Sequence, residues 1–326
     1  MQTIAIVILY FGKLPNYFDL FLESAAKNNT IDFYLFTDTQ PALPEGCSNI
    51  YITHSTLEQC KVRIENAVGY SCCLEAPYKL CDYRPSYGLV FADYLAEYDW
   101  WGFCDVDVIL GDLRKFLTND ILQQYEKFSN LGHLMLFKNT TAVNKRFMCW
   151  KTGAYNTFFE AAHSRRNVAF DEKGGLTGMS KGGLYATCID YKYIADIWPD
   201  TYHFRTFYNY RSDAPCVFSF CEGKLFGYFI EDAGIQRIEF MYIHLQARNM
   251  KMNIENGNAF LVLPDRFAEF EQIDEEFIRN ESIEKDKKGV IRERSEQPVS
   301  GLPFLLRITR KLRRFVFSKR NFIAEG

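Results

Sequence analysis

The sequence predicts an α/β fold built on a mixed, mostly parallel sheet flanked by helices, and three observations carry that expectation. The run Thr3 to Phe11 (TIAIVILYF) is almost wholly apolar, as a central parallel strand covered on both faces is. A turn, a segment with helical spacing and a second apolar strand follow it, which is a βαβ unit. Further on, the aromatic and apolar run of Trp100, Trp101 and Phe103 stops abruptly at Asp105, Val106 and Asp107 before a second apolar run, so two carboxylates stand at a strand's end.

Taken in order, Thr3 to Phe11 is the first strand, and the turn GKLPN leads into Tyr17 to Lys27, where Phe18, Phe21, Leu22 and Ala25 repeat at helical spacing. The next strand, Asp32 to Thr37, is closed by Asp38. Ligands of such sheets bind beyond the carboxyl ends of the strands, which is where Tyr10 to Lys13 and Asp38 lie. Asn49 to Thr53 reads as a short third strand and Thr56 to Val68 as a helix. Lys79 to Gly88 (KLCDYRPSYG) is a charged loop with a proline that enters a helix from about Leu89 to Leu95. Beyond Asp112, Asp120 to Phe128 reads as a helix and Leu134 to Lys138 as a strand. Residues 139–183 are less periodic and more polar, and contain the acidic, glycine-paired stretch FDEKGG at 170–175. Ordered patterns resume at Asp190 to Ile197 and Pro215 to Cys221. Lys224 to Ile230 alternates as a strand, and Glu222 with Gly223 fits a two-residue hairpin loop before it. A last strand of large apolar residues, beginning near Glu239, delivers His244 to its end, with Arg248 and Lys251 following.

At 326 residues, 48% hydrophobic and 16% aromatic, the chain has ample material for a substantial core. The formal charge of −3 hides an asymmetry: residues 298–326 hold seven Lys or Arg against one Glu, leaving −9 on the rest. That acidic body argues against nucleic acid as the main partner. Ten cysteines contain no C-x-x-C pair, so neither a disulfide framework nor a zinc site is expected, and a reducing cytoplasm suits them. The apolar start has no basic stretch before it and is read as a strand rather than a leader. No apolar stretch approaches the roughly 18 residues that a membrane span needs.

Two like charges at a buried strand end require compensation, and a divalent cation supplies it. Hard oxygen ligands suit Mg²⁺ or Mn²⁺, which keep open positions for the phosphates of a nucleotide. The bland alternative is a solvated acidic pair in a polar turn or at a helix N-cap. The segment W-W-G-F-C-D-V-D-V-I-L-G-D resembles the metal-binding D-x-D motif of glycosyltransferases with the Rossmann-like GT-A fold, in particular bacterial enzymes that build capsule or lipopolysaccharide glycans. The resemblance runs from residue 1 to about residue 252 and is most specific in that segment and in Met241 to Met252.

The resemblance implies roles, residue by residue. The loop after the first strand contacts nucleotide base and ribose, which points to Tyr10, Phe11, Gly12 and Asp38; turn chemistry alone also explains them. K-x-x-D-x-R/K-P segments face the sugar nucleotide, so Lys79 and Arg84 are expected to meet phosphate and Asp82 to accept from sugar hydroxyls; a structural salt-bridge cluster is the competing reading. Asp105 and Asp107, with Val106 between them, would hold Mn²⁺ or Mg²⁺ and the donor. His244 matches a third metal ligand, where a lone histidine after an apolar run is otherwise a satisfied core residue, and Arg248 and Lys251 would neutralise charge on the leaving diphosphate. Glycosyl transfer needs a base at the acceptor hydroxyl or stabilisation of the leaving group, and Asp171 and Glu172 are expected there, with Gly174 and Gly175 letting the loop come close to a sugar. A solvated acidic turn would explain the same residues.

The expected organisation is a catalytic domain over 1–264, with a nucleotide-sugar half (1–112) and an acceptor half (113–264), then a charged helix or flexible linker (265–297) and a basic amphipathic segment (298–326). In the last, Leu305, Ile308, Leu312 and Phe315 recur at three- and four-residue spacing among Arg307, Arg310, Lys311, Arg313, Arg314, Lys319 and Arg320. Such a segment, over 302–323, would lie on the anionic inner face of the cytoplasmic membrane; a packing or dimerisation helix is the alternative. The functional expectation is a metal-dependent glycosyltransferase of hexosyltransferase type. It would carry a sugar from a nucleotide-diphosphate donor, a UDP-sugar for preference, to a glycan or lipid-linked acceptor. A phosphoryl or nucleotidyl transferase also uses paired carboxylates and a metal, though there is no G-x-x-x-x-G-K-[ST] loop for an NTP-hydrolysing version. A non-catalytic, membrane-docked carbohydrate-binding protein is the third possibility.

Overall fold

The computed structural model describes residues 1–149, 156–197, 202–208, 215–255 and 257–282. Everything below concerns those residues.

Strand β1 (Ile4–Tyr10) lies parallel to β2 (Ile31–Thr37), which lies parallel to β3 (Ile50–His54). On the other side β1 pairs in parallel with β4 (Trp100–Cys104), Ile4 opposite Trp100. Strand β5 (Val108–Leu110) follows β4 after three residues but leaves this sheet. Two short pieces, β6 (Lys127–Phe128) and β8 (Thr187–Cys188), and the antiparallel β7 (Leu134–Lys138) complete it, in the order β3-β2-β1-β4-β7-β6-β8. This is the mixed, mostly parallel sheet that the sequence predicts.

The period of two in β1 explains why the strand is apolar throughout. Ile4, Ile6 and Ile8 face helix α1 (Phe18–Ala26), packing with its Phe18, Phe21, Leu22 and Ala25. Ala5 and Val7 face the opposite layer with Trp101, Phe103 and Phe91. Helix α2 (Leu57–Val68) starts on a reciprocal cap in which Thr56 and Gln59 each satisfy the other's backbone N–H, and it ends at Gly69 in the left-handed region (φ 83°).

The second layer of strands is what brings the chain's distant parts to one place. β9 (Ile194–Ile197), β10 (Phe204–Thr206), β14 (Tyr242–His244) and β5 form a four-stranded sheet in the order β10-β9-β14-β5. A third, largely antiparallel sheet runs β13-β12-β11-β16-β17-β15, from β11 (Cys216–Cys221), β12 (Lys224–Glu231), β13 (Gly234–Phe240), β15 (Lys251–Asn253), β16 (Ala259–Leu263) and β17 (Arg266–Ala268). The β11–β12 hairpin closes through Glu222 (φ 49°) and Gly223 (φ 84°), both left-handed, as a two-residue turn requires.

Several sequence expectations are corrected. The helix read over Asp120 to Phe128 stops at Gln124, and Lys127 and Phe128 turn into a strand between β7 and β8 because sheet pairing claims them. The helix near Leu89 is two short turns, Tyr87–Val90 and Ala92–Leu95, broken at Phe91. The charged region from residue 265 is neither one helix nor a linker at its start. β17 joins β16 and β15, and helix Glu275–Ser282 is bound to the body through Arg266–Glu281 (2.8 Å) and a Ser282 hydroxyl that donates to the Cys216 carbonyl (3.1 Å). The expected boundary at 264 therefore falls inside a sheet. No helix among the described residues is long and apolar enough to cross a membrane. The basic segment 298–326 and residues 283–297 lie outside the described residues.

Candidate active site

Asp105 to Asp107 form the short connection that takes the chain from β4 in the main sheet to β5 in the second. β5 pairs antiparallel with β14, setting His244 opposite Val108, and β14 pairs in parallel with β9, setting His244 opposite Asp196. This double pairing moves an imidazole from 137 positions downstream to the end of the D-x-D segment. Its Nε2 lies 3.5 Å from an oxygen of Asp107 and 3.8 Å from one of Asp105, and its Nδ1 lies 3.0 Å from Asp196 Oδ1. One ligand atom from each of Asp105, Asp107 and His244 falls within 4.8 Å of the others.

The surrounding protein fixes each member. The Asp105 N–H donates to the His133 carbonyl (2.9 Å) and Leu245 N–H to the Asp107 carbonyl (2.8 Å), pinning both ends of the connection. Ala247 N–H donates to the Asp107 carboxylate from a turn in which Gln246 and Ala247 both have positive φ (55° and 50°). Left-handed backbone at two successive non-glycine residues is strained, and strain of this kind collects where a ligand group must be aimed. Gln246 Nε2 donates to Asp196 (3.3 Å), so the carboxylate that orients His244 is itself held. His133 stacks on the His244 ring, 3.9 Å between centroids and 16° between planes, and its Nδ1 meets the Tyr242 hydroxyl (3.1 Å).

The charges follow from this burial. Burial raises the Asp105 carboxyl against the pull of Arg84, and Asp107 beside it adds to the rise. Burial also acts against ionised Asp107, but His244 and the Ala247 N–H outweigh it and bring its pKa down to about 2. Burial opposes charge on His244 too, yet Asp107 and Asp196 hold its imidazole pKa well above the ordinary range. Burial, with His244 next to it, lowers His133 to about 3, so that ring is neutral. The His244 Nε2 proton faces Asp107 and the Nδ1 proton faces Asp196; a divalent ion held by Nε2 and the two aspartates would take the place of the Nε2 proton.

The donor set fits such an ion. Two carboxylates and one neutral imidazole suit a first-row or alkaline-earth divalent cation, and a second-sphere carboxylate on the far ring nitrogen is the usual way to aim a metal-ligating histidine. A second set, His133, Asp196 and His244, fits poorly. There the imidazoles stack face to face, so their in-plane lone pairs do not converge, and both Nδ1 atoms already have partners.

Arg84 ties this centre to the FDEKGG loop. Its guanidinium contacts Asp105, donates to Asp171 Oδ2 (3.1 Å) and to the Gly132 carbonyl (3.0 Å), and stacks 5.3 Å from the Phe103 ring centroid. Burial pushes the Asp171 carboxyl up to about 8, with Arg84 opposing and Glu172 and Asp105 adding to the rise. Glu172 accepts from the Gly132 N–H (2.7 Å), one residue before the His133 carbonyl that binds the Asp105 N–H.

Of the remaining expected residues, Gly12 (φ 96°) donates its N–H to Asp38 (2.9 Å), so that pair shapes the loop after β1. Tyr10 donates to the Lys13 carbonyl (3.0 Å), and burial, then Asp107 and Asp105, raise its pKa to about 12. Phe11 and Val106 point into the core, leaving only their backbone for a ligand. Lys79 and Asp82 are corrected. They form a buried pair (2.6 Å); the lysine also donates to the carbonyls of Ala161 and Arg166, and the carboxylate accepts from the N–H groups of Val168 and Phe170. Arg248 donates to the carbonyls of Tyr202 and Pro264 (2.9 Å each) rather than standing at the centre, and Lys251 is exposed near Asp265 (3.7 Å). Gly174 and Gly175 serve the loop itself: a Cβ would lie 2.1 Å from the Val168 carbonyl oxygen or 2.5 Å from the Phe170 ring. Sequence reading missed Asp196, His133, Tyr242 and Gln246; a single carboxylate inside the apolar run of β9 was the available signal for Asp196.

Among solved structures the chain is similar to the galactosyltransferase LgtC in complex with donor and acceptor sugar analogs (TM-score 0.34, 13% identity, covering 59% of this chain and 75% of that one). An active-site mutant of LgtC is similar to the same extent (TM-score 0.36, 12% identity, 59% and 75%). Likeness at this level carries no argument about activity. No curated protein matches the chain. Residues 6–271 match the model of a family of unknown function, DUF6625, and the chain belongs to that family.

Proposed function

We propose that this protein is a metal-dependent glycosyltransferase that moves a hexose from a nucleotide-diphosphate sugar, UDP-linked for preference, to a hydroxyl of a glycan or lipid-linked acceptor in bacterial surface polysaccharide synthesis. One observation carries the reading: Asp105, Asp107 and His244 converge within 4.8 Å at the carboxyl ends of a parallel sheet, with a second acidic pair beside them. Mn²⁺ is the preferred ion, because imidazole with carboxylates suits it better than Ca²⁺. Bound there, the ion would act as a Lewis acid on the departing diphosphate.

The chain's own residues divide the remaining work. Asp196 sets the His244 ring so that Nε2 faces the two carboxylates. Tyr10, Gly12 and Asp38 shape the loop at the carboxyl ends of β1 and β2, where a nucleotide would rest. Arg84 holds Asp105 and Asp171 together through one guanidinium, so the donor and acceptor sides share a fixed spacing. Asp171, with a carboxyl raised to about 8, contacts the acceptor hydroxyl and serves as its base in the fraction that is ionised, a fraction that grows as pH rises toward 8; Glu172 is the second choice. The proposed division into a donor half (1–112) and an acceptor half (113–264) follows the same line. We further propose that residues 302–323, on their composition, hold the enzyme at the inner face of the cytoplasmic membrane.

The test is a panel of nucleotide sugars with added Mn²⁺, reading release of the nucleoside diphosphate, beside NTPs read for pyrophosphate. Diphosphate release from one donor, lost in Asp107→Ala, is expected. Pyrophosphate release instead assigns a nucleotidyl transferase, and metal-independent glycan binding without nucleotide release assigns a carbohydrate-binding protein.

A further inference from the structure

A 3₁₀ helix spans Pro77–Asp82 and a second spans Arg84–Ser86. In such a helix residues three apart eclipse one another, so Lys79 and Asp82 share one side while Tyr78 and Cys81 share another, and the same interval reaches Arg84. The first pair is the buried clamp. The other row ends on the guanidinium that binds Asp105 and Asp171. Tyr78 is thus six residues from Arg84 along one row, about 12 Å at the 3₁₀ rise.

Tyr78 is 66% exposed, although its backbone is fixed: Asn167 Nδ2 donates to its carbonyl (3.0 Å), and Asp82 on the same turn binds the N–H groups of Val168 and Phe170, next to Asp171. A rigid turn therefore displays a large aromatic ring to solvent at the edge of an acidic site. The ring faces water on a turn whose far end is tied to the loop that carries Asp171. An aromatic face beside carboxylates is the arrangement that holds a sugar, whose C–H face packs on the ring while its hydroxyls meet the acids.

We propose that Tyr78 is the stacking platform of the acceptor subsite, packing against a hexopyranose ring of the acceptor so that one of its hydroxyls is presented to Asp171. This rests on the glycosyltransferase reading for the meaning of "acceptor", but the sugar contact is measurable by itself. With the nucleotide base proposed at the ends of β1 and β2, this ring is left to the second substrate.

Saturation-transfer NMR with methyl β-D-glucopyranoside, methyl β-D-galactopyranoside and the N-acetylglucosamine methyl glycoside tests the subsite on the full chain. Wild type is expected to contact at least one of them, Tyr78→Ala to weaken that contact about tenfold, the worth of one aromatic contact, and Tyr78→Trp to keep it. Tyr51, exposed on the edge strand β3, supplies the control: Tyr51→Ala should bind as wild type does. Unchanged binding in Tyr78→Ala, or no contact with any of the three glycosides in wild type, overturns the proposal. If glycosides bind through Tyr78 while wild type hydrolyses no nucleotide sugar, the subsite stands and the glycosyltransferase reading falls. If donors are hydrolysed while Tyr78→Ala binds as before, the reading stands and the subsite falls.

Discussion

Two clusters of buried charge lie close together in this molecule, and they are built on opposite terms. In the clamp, Lys79 spends its three donors on Asp82 and two carbonyls, and Asp82 receives two backbone N–H groups besides. Every polar atom of the pair is answered by protein. In the candidate metal centre, Asp105 and Asp107 flank one imidazole, which comes no closer to them than 3.8 and 3.5 Å. Like charges are held together there by Arg84, His244, a strained turn and a positioning carboxylate, with the imidazole too far from either acid for a close hydrogen bond. A self-satisfied cluster holds a fold together; an unbalanced one, kept rigid, does chemistry.

That contrast can be broken in three ways. Asp82→Ala removes one partner of a fully buried pair and leaves an ammonium without its counter-charge, which should lower the unfolding free energy by about 3–5 kcal/mol; denaturant titration reads it. Asp107→Ala should do the reverse. Turnover on the active donor should fall about 100-fold or more, about 2.7 kcal/mol or more of transition-state stabilisation, while the unfolding midpoint moves less than in Asp82→Ala. Its stability cost has a sign: the Asp107 carboxyl is depressed to about 2, so its contribution is present above the unfolded value near 3.9 and is lost as pH falls through 2.

Asp171 supplies the third effect, with the opposite slope. Its folded carboxyl is raised to about 8, so between its unfolded value near 3.9 and pH 8 the folded state retains a proton that the unfolded chain has released. Stability should therefore fall as pH rises through that window, by up to about 1.4 kcal/mol per pH unit. Asp171→Asn, neutral at every pH, should flatten the curve between pH 5 and 8. Parallel curves for the two proteins would show that Arg84 keeps Asp171 ionised across this range.

How much of this was legible before folding depended on whether a residue's partner is local. β1, β2 and β4 declare themselves as apolar runs, and the two acids that end β4 stand out because charge rarely interrupts such a run. His244 was singled out only through the resemblance to D-x-D glycosyltransferases, since a lone histidine at the end of an apolar strand reads by itself as a core residue. Lys79 and Asp82 were misread because a charged loop looks the same whether it faces a ligand or its own chain; the N–H groups of Val168 and Phe170 that claim Asp82 lie 86 and 88 positions away. Asp196 escaped notice because only the pairing of β9 with β14 sets it beside His244. The third sheet was half visible. The β11–β12 hairpin has its turn residues, whereas β13 is mostly half-exposed and β15 and β17 are three residues each, too short for a periodic signal.

The most direct test of the centre is calorimetric titration of the metal-free chain with Mn²⁺. One site per chain is expected in wild type, with affinity that rises with pH as His244 gives up its proton, and no measurable site in either Asp107→Ala or His244→Ala. Equal Mn²⁺ binding by all three proteins would contradict the account.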